Sequence, residues 1–188
     1  MLITQAQTIT IAFNANVQAT QIMDNVIQAA EFEYIRPALT ENFYEYVLQN
    51  ATAVDVIDSN ITESDGRVIT GKQLLTDLLR PAMAYYVKYL ALDDIWSEVT
   101  ERGGFALTAD NALVMSNAQR QDLKNQTLKI ANSLLNRMID YIRKQYDNNV
   151  TKYDLYKNFS GSISENEIIG GFLITTKKPV RIDDESYD

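Results

Sequence analysis

Residues 74–95, L-L-T-D-L-L-R-P-A-M-A-Y-Y-V-K-Y-L-A-L-D-D-I, place apolar side chains on most of the circumference of a helical wheel. Leu74, Leu75, Leu78, Leu79, Met83, Tyr85, Tyr86, Tyr89, Leu90, Leu92 and Ile95 carry the pattern, which extends over 71–98 with Thr70 or Gly71 available as a cap. A helix apolar nearly all round has to be covered by other elements, so this segment belongs in the centre of a bundle. It is not a membrane span, because nowhere does the chain hold the roughly 18 consecutive apolar residues that a span needs. Pro81 falls inside it and predicts a kink.

The rest of the chain supplies the cover. Residues 17–33 read as a helix whose Ile22, Val26, Ala29, Ala30 and Glu33 recur at spacings of three and four. Pro37 breaks or restarts it, and a second helix over 38–50 carries Leu39, Phe43, Val47 and Leu48 on one stripe. Residues 51–71 are the least helical part of the middle, either a small hairpin turning at Asp65-Gly66 or a long loop. Residues 99–115, with Gly103-Gly104, read as an extended crossing. Ser116 caps a long amphipathic helix to near Tyr146, with Leu123, Thr127, Ile130, Leu134, Met138 and Ile142 on its apolar stripe.

The two ends differ from the middle. Thr8 to Phe13, T-I-T-I-A-F, alternates polar and apolar and predicts a short strand. Glu167 to Thr176 is a strand-like run split by Gly170-Gly171, followed by a polar, acidic tail. The expected architecture is mainly α: a bundle of about four helices over 16–150, with a short strand-forming arm at 1–15 and an extended, strand-containing arm at 151–188. Strands without a partner in their own domain seek one elsewhere. Ile9, Ile11 and Phe13 on the first arm are therefore candidates for contacts between chains. So are Tyr153, Tyr156, Phe159, Ile168, Ile169, Phe172, Ile174, Val180 and Ile182 on the second, since aromatic residues are favoured in interfaces.

Composition narrows the chemistry. The chain has no histidine and no cysteine, which removes Ser-His and Cys-His catalysis, disulfides and the usual zinc ligands. Its net charge of −8 argues against dedicated nucleic-acid binding and against docking on an anionic membrane. Asp55, Asp58, Asn60, Glu63 and Asp65 invite a calcium reading. A loop started at Asp58 has Thr62 and Glu63 where an oxygen ligand and a glycine belong, so a solvated acidic loop fits better. Glu31, Glu33, Glu41 and Glu45 read as surface carboxylates near helix starts rather than an acid–base pair. Neither glycine pair fits a phosphate loop. Arg120, Lys124, Lys129, Arg137, Arg143 and Lys144 make the long helix partly basic, which fits a solvated or salt-bridging face between subunits better than a DNA contact. No catalytic, metal-binding or cofactor-binding residue is expected.

The order A-E-F-E-Y-I-R-P-A-L-T-E-N-F-Y-E-Y-V at 30–47, L-L-T-D-L-L-R-P-A-M-A-Y-Y-V-K-Y-L at 74–90, V-T-E-R-G-G-F at 99–105 and the amphipathic helix 116–146 resembles the head–tail connector (adaptor) proteins of tailed bacteriophages, especially those of the crAss-like group. The resemblance spans about 30–146. It implies a homo-oligomeric ring, typically dodecameric, at the head–tail junction of a virion assembled in the host cytoplasm. Its partners would be the portal protein and other tail or connector proteins, with DNA passing through the channel without specific binding and no membrane involved. The alternative is a monomeric or dimeric helical module that binds a cellular partner. A carboxylate-only, metal-dependent enzyme is a third possibility, and it would require clustered acids on a buried face.

Overall fold

The computed structural model describes residues 1–13, 22–101, 116–146, 152–156, 167–169 and 172–174. In chain order the elements are α1 (Gln5–Ala12), α2 (Asp24–Ala30), a π-helical turn π1 (Glu31–Ile35), α3 (Arg36–Leu39), α4 (Glu41–Gln49) and α5 (Ala51–Val54). A hairpin follows, β1 (Ile61–Thr62) and β2 (Val68–Ile69), then a second π-helical stretch π2 (Leu74–Leu79), α6 (Arg80–Glu101) and α7 (Asn117–Tyr146). A helical turn at 152–156 and the strands β3 (Glu167–Ile169) and β4 (Phe172–Ile174) complete the described chain. The protein is mostly helical, as its hydrophobic periodicity requires.

α6 occupies the position its sequence demands. It packs against α7 along one side, α1 and α2 along others, and π1. Leu74, Leu75, Leu79, Ala82, Met83, Tyr86 and Val87 are buried in one cluster with Ile27, Ile35, Phe43, Leu135, Met138 and Ile142. Tyr34 and Tyr86 stack at its centre, ring centroids 4.1 Å apart and 9° from parallel. The Tyr86 hydroxyl donates to Asn132 Oδ1 on α7 at 2.6 Å, so the buried ring still satisfies its polar end.

Pro37, expected to break or restart its helix, and Pro81, expected to kink its helix, each follow a π-helical turn inside a continuing helix. The N–H of Arg36 bonds the carbonyl of Glu31, and that of Arg80 bonds the carbonyl of Leu75, each five residues back. Proline lacks an N–H and crowds the carbonyl four residues earlier. Widening the preceding turn to the π spacing relieves that crowding without ending the helix. The same R-P-A follows each π turn, at 36–38 and at 80–82. The helix that starts at Asp24 therefore runs through Pro37 to Leu39, and the break falls at Thr40 (φ 67°, ψ 154°), not at the proline.

The expected N-terminal strand is a helix, α1. Thr4 and Gln7 form a reciprocal capping box at its start. The hydroxyls of Thr8 and Thr10 bond carbonyls four residues back, at 2.9 Å each, so both threonines are satisfied inside a helix. The short alternation 8–13 is compatible with either period, and the packing of α1 on α6 decides it. Leu2 and Ile3, ahead of α1, are buried. The segment 1–15 is thus not an extended arm over its described part. Residues 152–156, placed by sequence in the C-terminal arm, are helical and packed into the bundle.

The alternative left open by the sequence at 51–71, hairpin or long loop, is resolved. Residues 51–71 contain α5 and a two-stranded antiparallel hairpin with Ile61 opposite Ile69 and Thr62 opposite Val68. Gly66 (φ 82°) takes the left-handed conformation in its turn. β3 and β4 also pair antiparallel, Ile169 opposite Phe172. Residues 102–115 lie outside the described residues, while α6 extends through the start of the expected crossing to Glu101. On α7 the buried stripe is Thr127, Ala131, Leu135, Met138, Ile142 and Gln145, with Tyr141 beside it. Leu135 rather than Leu134 is the fully buried leucine, and Ile130, expected on the stripe, is exposed. Leu48 of α4 is likewise exposed.

Candidate functional site

Two carboxylates read as surface groups are buried. Glu31 accepts from the Leu2 N–H at 3.3 Å and from the Tyr44 hydroxyl at 2.6 Å, tying the N-terminus and α4 to the π1 turn. Burial, with Glu31 beside it, pushes the Tyr44 hydroxyl well above its ordinary range. Asp58 takes Lys152 Nζ at 2.7 Å and the Tyr153 hydroxyl at 2.5 Å, and its own N–H reaches the Lys72 carbonyl. Lys152 also donates to the Val56 carbonyl at 3.1 Å. Gln145 Nε2 donates to the Ser59 carbonyl at 2.6 Å and to the Tyr141 hydroxyl, which accepts the Lys72 N–H at 2.7 Å. This network clamps 55–60, the start of π2, the end of α7 and the turn 152–156 together. Asp58, Lys152 and Tyr153 satisfy one another inside the bundle, while Lys72 and Tyr141 also reach the groove described below.

The other polar side chains of the loop have the same kind of occupation. Asp55 receives the Thr76 N–H at 2.8 Å and its hydroxyl, Asn60 Oδ1 receives the Gly71 N–H at 2.7 Å, and Asp65 receives the Arg67 N–H at 2.9 Å. Glu63 pairs with Lys144 and Arg67, which hold its carboxyl below the ordinary carboxylate range. The loop is less a solvated acidic stretch than a set of backbone and interhelix ties. Among the described residues no group of three or more Asp or Glu is placed to hold a metal ion.

Among the described residues a groove of about 860 Å³ runs along α7. Asn125, Lys129, Asn132, Ser133, Asn136, Arg137, Asp140 and Lys144 recur at three- and four-residue spacing along one wall. Ile69 of the hairpin, Lys72 and Leu78 form the opposite side, and Leu128 and Tyr141 contribute apolar surface from α7. Lys144 is held by Glu63 at 2.5 Å. Lys129 and Arg137 are exposed, and among the described residues neither forms a salt bridge. The groove was visible in the sequence as an imbalance: α7 carries six basic residues against two acidic ones, a net +4 inside a chain of −8. What the sequence did not show is that Lys129, Arg137 and Lys144 share one groove with Asp140, while Lys124 pairs with Asp93 away from it.

The expected interface residues separate on the structure. Ile9, Ile11 and Phe13 are partly buried on the core of their own chain, and Lys88 Nζ lies 5.5 Å from the centre of the Phe13 ring. Tyr153 and Tyr156 are buried against Phe43, at 6.0 and 5.6 Å between ring centroids, and are not available to another chain. Ile168, Ile169, Phe172 and Ile174 lie on β3 and β4. Phe159, Val180 and Ile182 lie outside the described residues. Exposed apolar side chains stand elsewhere: Val56, Ile57 and Val68, at 59%, 69% and 56% exposure, near the hairpin. Among the described residues no helix is long and apolar enough to cross a membrane.

No curated protein and no solved structure matches this chain. Residues 35–164, from the end of π1 past the turn 152–156, match a described protein family, and the chain belongs to that family of unknown function (DUF6712).

Proposed function

We propose that this chain is a structural subunit of the head-to-tail connector ring of a tailed bacteriophage. It would dock on the portal, extend the DNA channel and offer a platform for tail proteins, working by packing rather than by catalysis. The observation that carries the reading is the open basic face of α7 on an otherwise acidic molecule. Such a surface fits association with acidic protein surfaces, because complementary charge sets orientation and register between partners. The exposed Val56, Ile57 and Val68 add an apolar patch of the kind that mating surfaces cover. The choice of this assembly rests on the resemblance of the segments at 30–146 to connector proteins, and on nothing else.

Electron cryo-microscopy of assembled particles tests it. The expected result is a ring of this chain's fold between portal and tail, and absence of the chain from purified particles rejects it. A helical module acting as a monomer or dimer on a cellular partner uses the same surfaces. Mass measurement with and without portal separates the two, since a connector subunit enters a ring when the portal is present. Tight, salt-sensitive DNA binding by the isolated full chain would contradict free passage of DNA.

A further inference from the structure

The α7 groove combines a cationic rim, at Lys129 and Arg137, with an apolar lining from Ile69, Leu78 and Leu128. A nucleic-acid backbone would meet the cations and leave the apolar lining unused. A peptide carrying both acidic and branched apolar side chains uses both. The chain holds such a stretch at 180–188, V-R-I-D-D-E-S-Y-D, where Val180 and Ile182 run into Asp183, Asp184 and Glu185. We propose that, in the unassembled protein, the groove is the docking site of the chain's own segment 180–188.

Chain geometry favours the same molecule over a second copy. The described body ends at Tyr156, whose hydroxyl faces Arg143 and Asp140, and Asp140 lines the groove. The strands at 167–174 fold back on each other. The remaining tether, about fifteen residues, reaches up to ~50 Å at ~3.3 Å per residue. The α7 wall from Asn125 to Lys144 is only about 28 Å long at ~1.5 Å per residue. A tether of this kind gives an effective concentration on the order of millimolar, above that of a free second copy at micromolar protein. Docking in cis needs no ring, and it leaves the segment free to be exchanged for a partner's surface on assembly.

The chain lacks cysteine, so Lys178→Cys provides a single attachment point for a spin label just ahead of the segment. In the full-length labelled protein, amide signals of α7 between Asn125 and Lys144 should broaden strongly. The broadening should disappear in Lys129→Glu/Arg137→Glu, and separately in Asp183→Lys/Asp184→Lys, with helical circular dichroism unchanged. It should also fade at ~1 M salt, where the screening length falls to about 3 Å. Unbroadened α7 signals overturn the proposal. So does broadening in a mixture where the spin label and the isotope label are on different molecules, which would make the occupant a second copy. Absence of broadening together with shifts of the same amides on adding a short single-stranded oligonucleotide would assign the groove to nucleic acid instead.

Discussion

Thr40 is a β-branched residue held at φ 67°, ψ 154°, a conformation that glycine adopts freely and threonine resists. Its Oγ1 is buried without a hydrogen-bond partner among the described residues. The corner persists because Leu39 and Phe43 on either side are fully buried and Arg36 pairs with Glu41 across it. Replacing Thr40 by glycine should raise stability by about 1–2 kcal/mol, read from the urea midpoint, because strain of this kind is worth ~1–3 kcal/mol and the flexibility of glycine offsets part of it. Gly71 is the opposite case. A Cβ there would stand 1.8 Å from the Asp58 carbonyl oxygen, so Gly71→Ala must displace the loop that positions Asp58 and should destabilise by roughly 2–4 kcal/mol in the same measurement. The Asp58–Lys152 pair is almost wholly buried, with side chains 1% and 9% exposed. Lys152→Met strands the carboxylate and should cost about 3–5 kcal/mol, the range for breaking a buried pair from one side.

Among the elements, α7 was the most legible. Ser116 and Gln119 form the reciprocal cap expected of S-x-x-Q, with the Gln119 N–H on Ser116 Oγ at 3.2 Å and Gln119 Oε1 accepting the Ser116 N–H at 2.8 Å. Ser116→Ala should lower stability by about 1 kcal/mol and accelerate amide exchange in the first turn of α7 while leaving its centre protected. The least legible element was α1. Six alternating residues are too few to separate a period of 2.0 from one of 3.6, and neither the capping box nor the cover offered by α6 can be weighed without the fold. The π turns fall between these extremes. Pro37 and Pro81 announce that each helix must change there, but whether it ends, kinks or widens depends on what is packed around it. Both sites lie beside buried core, where a break would expose Ile35 and Leu39 in one case and Leu79 and Ala82 in the other.

At the scale of the molecule, the core is unusual in its buried tyrosines. Burial is the leading cause that raises the hydroxyls of Tyr34, Tyr44, Tyr86 and Tyr153 above the ordinary value of 10.0. For an acid whose folded pKa is raised, nothing is lost while the pH stays below the unfolded value. As the pH climbs past 10.0, the unfolded chain releases protons that the folded chain keeps, and stability falls. The protein should therefore lose stability from about pH 10 upward, with tyrosinate absorbance and helical circular dichroism changing together. If those tyrosines ionise at ordinary pH while the helices persist, the core is not closed as described. The charge distribution acts on the same scale. A basic α7 on an acidic molecule gives its field a direction, and the two proposals above rest on that asymmetry.

Composition and periodicity were enough for the helical class, the central place of the 74–95 segment, the start of α7 and the absence of histidine and thiol chemistry. Each follows from composition or from a long period, which survive any arrangement of neighbours. Packing alone made α1 a helix, buried Glu31 and Asp58 as anchors, drew Tyr153 and Tyr156 into the core, and set Lys129, Arg137 and Lys144 along one groove. These depend on contacts between residues far apart in the chain. Tyr153 meets Asp58 across 95 positions, and Lys72 meets Tyr141 across 69. No local pattern encodes such pairs, because the free energy that places a short or polar segment comes from the surface it happens to face.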